Sequence, residues 1–229
     1  MKKIKVPSEL AYVLGIVTLS FGVAFMEKAD FGISMVIAPA YVLYRAISPY
    51  LPFFTFGMAE YCFQGLLLLI LMLLLRRFRL SFLFSFVTAV LYGLMVDLAM
   101  AIVRPFAMDT FALRAVGFVV GFLLSAYGVS LFFRTYIAPE VYELFVKEMS
   151  AKTGVPLPRF KTGYDIASCV LGVTLSFLFF GFGKFVGVKL GTVLCALLNG
   201  TTIGLFGRLH DRLLTFSDIL PFRAFFESR

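Results

Sequence analysis

An all-α, polytopic membrane protein is the fold class this sequence predicts, and three observations predict it. Hydrophobic residues make up 61% of the chain and charged residues 15%, with a mean hydropathy of +0.96. A soluble domain carries roughly 45–50% apolar residues. Apolar runs long enough to cross a hydrocarbon core of about 30 Å recur six times. Lys and Arg concentrate in alternate connections between those runs. The length of 229 residues suits six spans with short connections. Residues 1–229 therefore read as one transmembrane domain.

The first span falls near Leu10–Met26. The basic start "MKKIKVPSEL" precedes it, but no small-residue cleavage site follows, so an uncleaved first helix is expected. The other spans are placed near Phe56–Leu75, Phe82–Val103, Ala112–Phe133, Gly163–Phe182 and Phe185–Gly207. The turns "RRFRLS", "RPFAMDT" and "GFGK" separate spans with charge, Pro or Gly. The segment 209–229 reads as a tail. Its Phe216, Ile219, Leu220, Phe222, Phe225 and Phe226 suit a docking or leaflet surface.

Net charge is +8, which in such a chain reports topology rather than nucleic-acid binding. With the N-terminus inside, fifteen of the 21 Lys and Arg residues fall on the inner side. They include Lys2, Lys3 and Lys5, the Arg76 to Arg79 turn, and Arg208, Arg212, Arg223 and Arg229. The expected location is the bacterial cytoplasmic membrane, with both termini cytoplasmic and the lipid bilayer as the first partner. No nucleic-acid partner is expected, and a homo-oligomer stays open.

Two connections are too long for turns. Glu27 to Gly57 is apolar and is cut by Pro39, Pro49 and Pro52. It is expected to hold a buried helical segment from Ile33 to Ile47. Arg134 to Gly163 contains "PEVYELFVKEMSAKTG", with a helix start at Pro139 and a stop at Gly154. Val141, Leu144, Phe145 and Met149 form one apolar face, with Glu143, Lys147 and Glu148 between them. That pattern predicts an amphipathic helix at an interface or over a cavity mouth.

These two excursions occupy corresponding places, each after the first span of a three-span set. "FGVAF" (Phe21–Phe25) matches "YGVSL" (Tyr127–Leu131), and Tyr41 and Leu43 match Tyr142 and Leu144. Glu60 then falls opposite Lys161, and Gln64 opposite Asp165. Three spans per unit set the second unit upside down. The architecture expected is two inverted three-helix repeats, about 8–105 and 112–208, each with an extra short helix after its first span. Transporters built this way bind substrate near the repeat interface.

The stretches "VPLPRFKTGYDIASCVLG" and "FGKFVGVKLGTVLCALLNG" resemble the YczE/YitT-like family of bacterial integral membrane proteins. Lys161 and Asp165 stand in that family's G-x-x-K-x-x-x-D pattern, with Pro158 at its Gly. Gly187, Gly191 and Thr192 stand in its G-x-G-x-G-T pattern, with Lys189 at the middle Gly. "KADFGIS" resembles its A-x-L-G-[IV]-S. The resemblance implies a small membrane protein of six-span type, described as a transporter, and names no substrate.

The membrane-embedded polar set supplies the candidate binding residues: Glu60, Gln64, Asp97, Asp165 and Asn199. Ionisable groups in a span cost several kcal/mol unless they face a partner, a cavity or a substrate path. Glu60 and Gln64 share one helix face, as do Lys161 and Asp165. Asp97 is expected either to line a cavity with Glu60 and Gln64 or to pair with Arg104 or Arg114. Glu60, near a helix start, also suits the positive end of the helix dipole. Lys161 and Asp165 suit a local i,i+4 pair.

Gly15 and Gly22, Gly117 and Gly121, and Gly200, Gly204 and Gly207 suit close helix packing. Cys62, Cys169 and Cys195 lie in apolar runs without metal spacing, and His210 sits just past the last span. No cofactor and no enzyme are expected, since HExxH, Walker and GxSxG motifs do not occur. The expected function is a secondary transporter or exporter of an unknown small molecule, with proton or Na+ coupling through Asp97 or Glu60. Two alternatives stay open. One is a non-transporting accessory or regulatory membrane protein. The other is the substrate-binding subunit of an energy-coupling-factor importer, docking its motor through Gly15, Ser20 and Gly22.

Overall fold

The computed structural model describes residues 3–221 together with Arg223 and Phe226. Lys2, Phe222, Phe225 and Arg229 lie outside the described residues. The chain is a multi-pass α-helical membrane protein. Six helices are long and apolar enough to span: α1 (Ser8–Ala29), α3 (Phe56–Leu75), α4 (Leu80–Val103), α5 (Phe111–Phe132), α7 (Leu157–Phe180) and α8 (Leu190–Leu213). Two short helices interrupt them, α2 (Ala38–Ile47) and α6 (Val141–Thr153). Strands β1 (Ile4–Pro7) and β2 (Leu214–Ser217) pair in parallel, so both ends of the described chain lie at one end of the bundle.

Local chemistry sets the helix ends. Thr55 Oγ1 accepts the Met58 N–H at 3.1 Å and opens α3. Thr110 Oγ1 accepts the Leu113 N–H at 3.3 Å and opens α5. Asp30 closes α1 in the left-handed region, φ 58°, its N–H on the carbonyls of Met26 and Glu27. Gly154 closes α6 at φ 71°. The fifth span starts at Leu157 rather than Gly163, because Pro158 suits the first helical turn. The sixth starts at Leu190 rather than Phe185. The residues before it run through turns and bends, with Gly181, Gly183 and Gly187 at positive φ, and Gly187 O accepts the Ile33 N–H at 3.0 Å. His210, read from sequence as past the last span, lies inside α8 and is buried against Ser130 and Tyr127.

The packing repeats as the element order does. Helix α1 packs on α4 and α5 on α8, while α2 seats on α7 and α6 seats on α3. At the centre α1 and α5 cross antiparallel through glycines. A Cβ on Gly22 would stand 2.6 Å from Gly121 O, and one on Gly121 the same 2.6 Å from Gly22 O. One on Gly15 would meet Gly128 O at 3.3 Å, and one on Gly128 would meet Gly15 O at 2.7 Å. The same sequence spacing that carries Gly15 to Gly121 carries Gly22 to Gly128. The two contacts are therefore symmetry mates, and the pseudo-two-fold runs through this crossing, perpendicular to the helices. The halves are inverted.

The short helices are re-entrant. Helix α6 starts beside the middle of α3, where Val141 N–H donates to Gln64, and ends beside its last turn, where Lys152 donates to Leu74 O. Val141 and Leu144 pack with Leu68, Leu71 and Phe82. Helix α2 starts beside the middle of α7, where a Cβ on Gly172 would meet Ala38 Cβ at 3.2 Å. Residues 33–42 are buried apart from Ser34, so this excursion is inside the bundle. Of the two placements expected for the second excursion, an interface or a cavity mouth, the structure shows the second, with Tyr142 and Glu143 on a cavity wall. Glu143 is 8% exposed, because α3 and α4 cover one side of α6 and α7 covers another.

Candidate functional site

The first turn of α6 is carried into the bundle, and that single fact builds the site. Free N–H groups at a helix start need acceptors, and water is scarce at this depth. Gln64 on α3 supplies one, its Oε1 accepting the Val141 N–H at 3.1 Å. This fixes the amide the other way round. Its Nε2 faces Glu60 Oε2 at 3.5 Å and Glu140 Oε2 at 3.4 Å. Tyr142 OH donates to Glu60 Oε2 at 3.0 Å. The second oxygens, Glu60 Oε1 and Glu140 Oε1, are buried with no hydrogen-bond partner.

Lys161 on α7 continues the cluster. Its Nζ donates to Glu143 Oε1 at 2.8 Å and lies 3.3 Å from Asp165 Oδ1, an ion pair without hydrogen-bond alignment. The cluster thus holds four carboxyls and one ammonium, with Lys161 paired to Glu143 and Asp165 and with Glu60 and Glu140 meeting at Gln64. Among the described residues, no Lys or Arg forms an ion pair with Glu60 or Glu140. Burial pushes the Glu140 carboxyl well above the ordinary carboxylate range. The negative charges of Glu60 and Glu143 add to that, against smaller opposite effects from Gln64 and Lys161. Two carboxylates sharing one amide cannot both ionise cheaply, so the pair is built to hold a proton.

The cluster opens on a small cavity of about 50 Å³. Glu140, Tyr142, Glu143 and Lys161 line one side. The α1–α5 crossing lines the other with Val23, Met26, Phe122 and Phe132. Ser34 and Ile37, ahead of α2, reach the same space, so the tips of both re-entrant segments meet at the pseudo-two-fold. Among the described residues, no three His, Cys, Asp or Glu side chains are grouped to hold a metal ion.

The sequence-predicted residues divide. Glu60, Gln64 and Asp165 join the cluster, and Asn199 on α8 lines the cavity. Glu60 is 0% exposed and bonded, which goes beyond the helix-start placement expected of it. Asp97 does not join them. Its Oδ2 accepts from Thr55 Oγ1 at 2.6 Å and its Oδ1 from the Gly57 N–H at 2.8 Å, so it caps the start of α3. It pairs with neither Arg104 nor Arg114; Arg114 instead bonds Asp30 and the Ala29 carbonyl. Asp97 lines a second cavity with Arg45, Lys28 and Glu27, at the end of the bundle away from the termini. The expected Lys161–Asp165 pair forms, with Glu143 as a third member.

Glu140, Tyr142 and Glu143 are the site residues that sequence reasoning did not select. The available signal was "PEVYE" at the start of a helix that the repeat plan sends inward. Tyr142 already matched Tyr41 of the first excursion. Glu143 reads only as one of the polar positions between the apolar ones, because helical periodicity shows faces, not what covers them.

The chain belongs to a family of unknown function, DUF6198, whose model matches residues 6–208. No curated protein and no solved structure matches the chain.

Proposed function

We propose that this protein is a secondary transporter or exporter that moves a small molecule across the bacterial cytoplasmic membrane, coupled to a proton or Na+. The observation that carries this reading is the surplus of carboxyls, four in a cluster with one lysine, two of them lining a cavity at the axis of two inverted halves. Half-helix starts at such an axis are a common place for substrate and coupling ion. A buried carboxyl with an unpartnered oxygen is a group poised to take up and release a cation. This reading gives the coupling role to Glu140 and Glu60 rather than to Asp97, which caps a helix.

The resemblance of the "FKTGYD" and "GVKLGT" segments to the YczE/YitT-like transporters supports the same reading. So does the bias of Lys and Arg, which puts both termini in the cytoplasm. Gly15, Ser20 and Gly22, on which docking to an importer motor would rest, are buried within the bundle, and Gly15 and Gly22 pack on α5.

The test is thermal unfolding of the purified protein in detergent across a library of small molecules and ions. A ligand at a hundred times its Kd adds about 2.7 kcal/mol to the bound state. At least one compound class should raise Tm in the parent and not in Glu140→Gln. A library without any such class, joined to a Glu140→Gln protein that shifts only in baseline Tm, would remove the transporter reading.

A further inference from the structure

We propose that the central cavity takes an organic cation, an ammonium group on a small apolar body, and that this cation replaces a proton on Glu140. The proposal rests on the transporter reading and names its substrate class. Three observations carry it. Glu140 lines the cavity and presents an oxygen that is buried and unpartnered. Lys161 cannot serve that oxygen, because its ammonium is held between Glu143 and Asp165. The wall opposite is apolar and aromatic, with Val23, Met26, Phe122 and Phe132, which suits a hydrocarbon body.

The shape of the donor set argues for a polyatomic cation. A bare metal ion needs several converging oxygens, and among the described residues no group of three metal-binding side chains exists. An ammonium needs acceptors for N–H bonds, and Glu140 Oε1 is a free one. An anion is disfavoured by every uncompensated charge in the cluster.

The groups facing Glu140 decide how it titrates. They are Tyr12 from α1, Glu60 from α3, Tyr92 from α4, Tyr142 and Glu143 from α6, and Lys161 from α7. Tyrosines stay neutral near pH 7, and Lys161 is offset by its own two carboxylates. Glu60 shares Gln64 with Glu140. The resting pair therefore holds at least one proton. An arriving ammonium forms a salt bridge with the Glu140 carboxylate, and the displaced proton leaves to solvent. Charge balances one for one, which is the exchange a proton antiporter needs.

The experiment uses the full chain in detergent at pH 7, weakly buffered, with a series of small primary amines from methylamine to butylamine, a size range set by the cavity of about 50 Å³. Each is paired with its alcohol of the same skeleton. Calorimetry reads binding and a pH dye reads proton release. The expected result is that amines with an apolar body bind and the alcohols do not. Binding releases about one proton per chain, and Glu140→Gln binds at least about tenfold more weakly. Should that variant fail to purify, the pH dependence of the parent decides: amine binding must tighten as pH rises, and a flat profile overturns the proposal. Amine binding unchanged in Glu140→Gln overturns it too. If amines fail while an anion, a neutral compound or Na+ binds, the substrate class is wrong and the transporter reading stands. If nothing binds at all, both fall.

Discussion

Asp97 on α4 accepts the backbone N–H of Gly57 at the start of α3 with its Oδ1, 2.8 Å away, while Thr55 holds its other oxygen at 2.6 Å. One carboxylate thus locks two helices together where α4 ends and α3 begins. The backbones approach closely there because Gly57 and Gly93 face each other; a Cβ on Gly93 would stand 2.7 Å from Gly57 O. Asp97 does the work of an N-cap residue from a neighbouring helix.

Asp97→Ala is therefore expected to lower stability by about 1–2 kcal/mol, the usual cost of a lost cap. Asp97→Asn keeps an acceptor oxygen and should lose less. Neither should change which ligands stabilise the protein. Thermal unfolding of both variants, with and without a stabilising ligand, checks this. A lost ligand response in Asp97→Asn would put Asp97 back in a binding site.

Glu140 predicts a pH dependence with a definite sign. Its carboxyl in the folded protein titrates well above the ordinary value of 4.5. The folded chain then binds more protons than the unfolded one between those two values. Stability is full below about pH 4.5 and falls as pH rises toward the folded pKa. Glu140→Gln cannot ionise, so its Tm should depend less on pH and should exceed the parent's under alkaline conditions. Parallel melting series from acid to alkaline pH would show a flatter line for the variant.

Lys161 stands between two carboxylates, and removing it leaves both buried without their cation. Breaking a buried pair this way costs about 3–5 kcal/mol. Lys161→Met should be strongly destabilised, and the double change with Glu143→Gln should recover part of the loss. A double-mutant cycle by chemical or thermal unfolding measures the coupling, which should be well above the additive limit. Additive losses would mean that the ion pair contributes nothing specific.

The α1–α5 crossing tolerates no side chain. Gly22→Ala and Gly121→Ala each push a methyl against a backbone carbonyl at 2.6 Å. Each should cost about 1–3 kcal/mol through overpacking. Gly200→Ala and Gly204→Ala, where nothing lies within 4 Å of the added carbon, should be close to neutral. Size-exclusion profiles and melting temperatures of the four variants separate the two classes.

The fold was largely legible because spans are fixed by length and hydropathy. Phe56–Leu75 was placed to the residue, and both excursions were found from their length, Pro breaks and helix signals. The Lys161–Asp165 pair was legible because i,i+4 neighbours on a helix must meet. The role of Asp97 was not, since its partners, the Gly57 N–H and the Thr55 hydroxyl, stand 40 and 42 residues away. Hydropathy carries no record of where a backbone N–H will point. Glu140 and Glu143 were hidden for a related reason. The start of a half-helix sunk between α3, α4 and α7 is covered on several sides, and the charged residues there are buried while Lys147 and Lys152 further along stay exposed.

The short helices stitch the two halves together. Helix α2 rests on α7 of the other half as well as on its neighbour α3, and α6 rests on α3 of the other half as well as on its neighbour α7. Pulling the halves apart would therefore strip each short helix of a support. By the Tyr41–Tyr142 match, Glu140 and Glu143 stand where the first half has Pro39 and Val42, both buried and apolar. Two positions related by the repeat thus carry opposite chemistry, carboxyls in one half and apolar packing in the other.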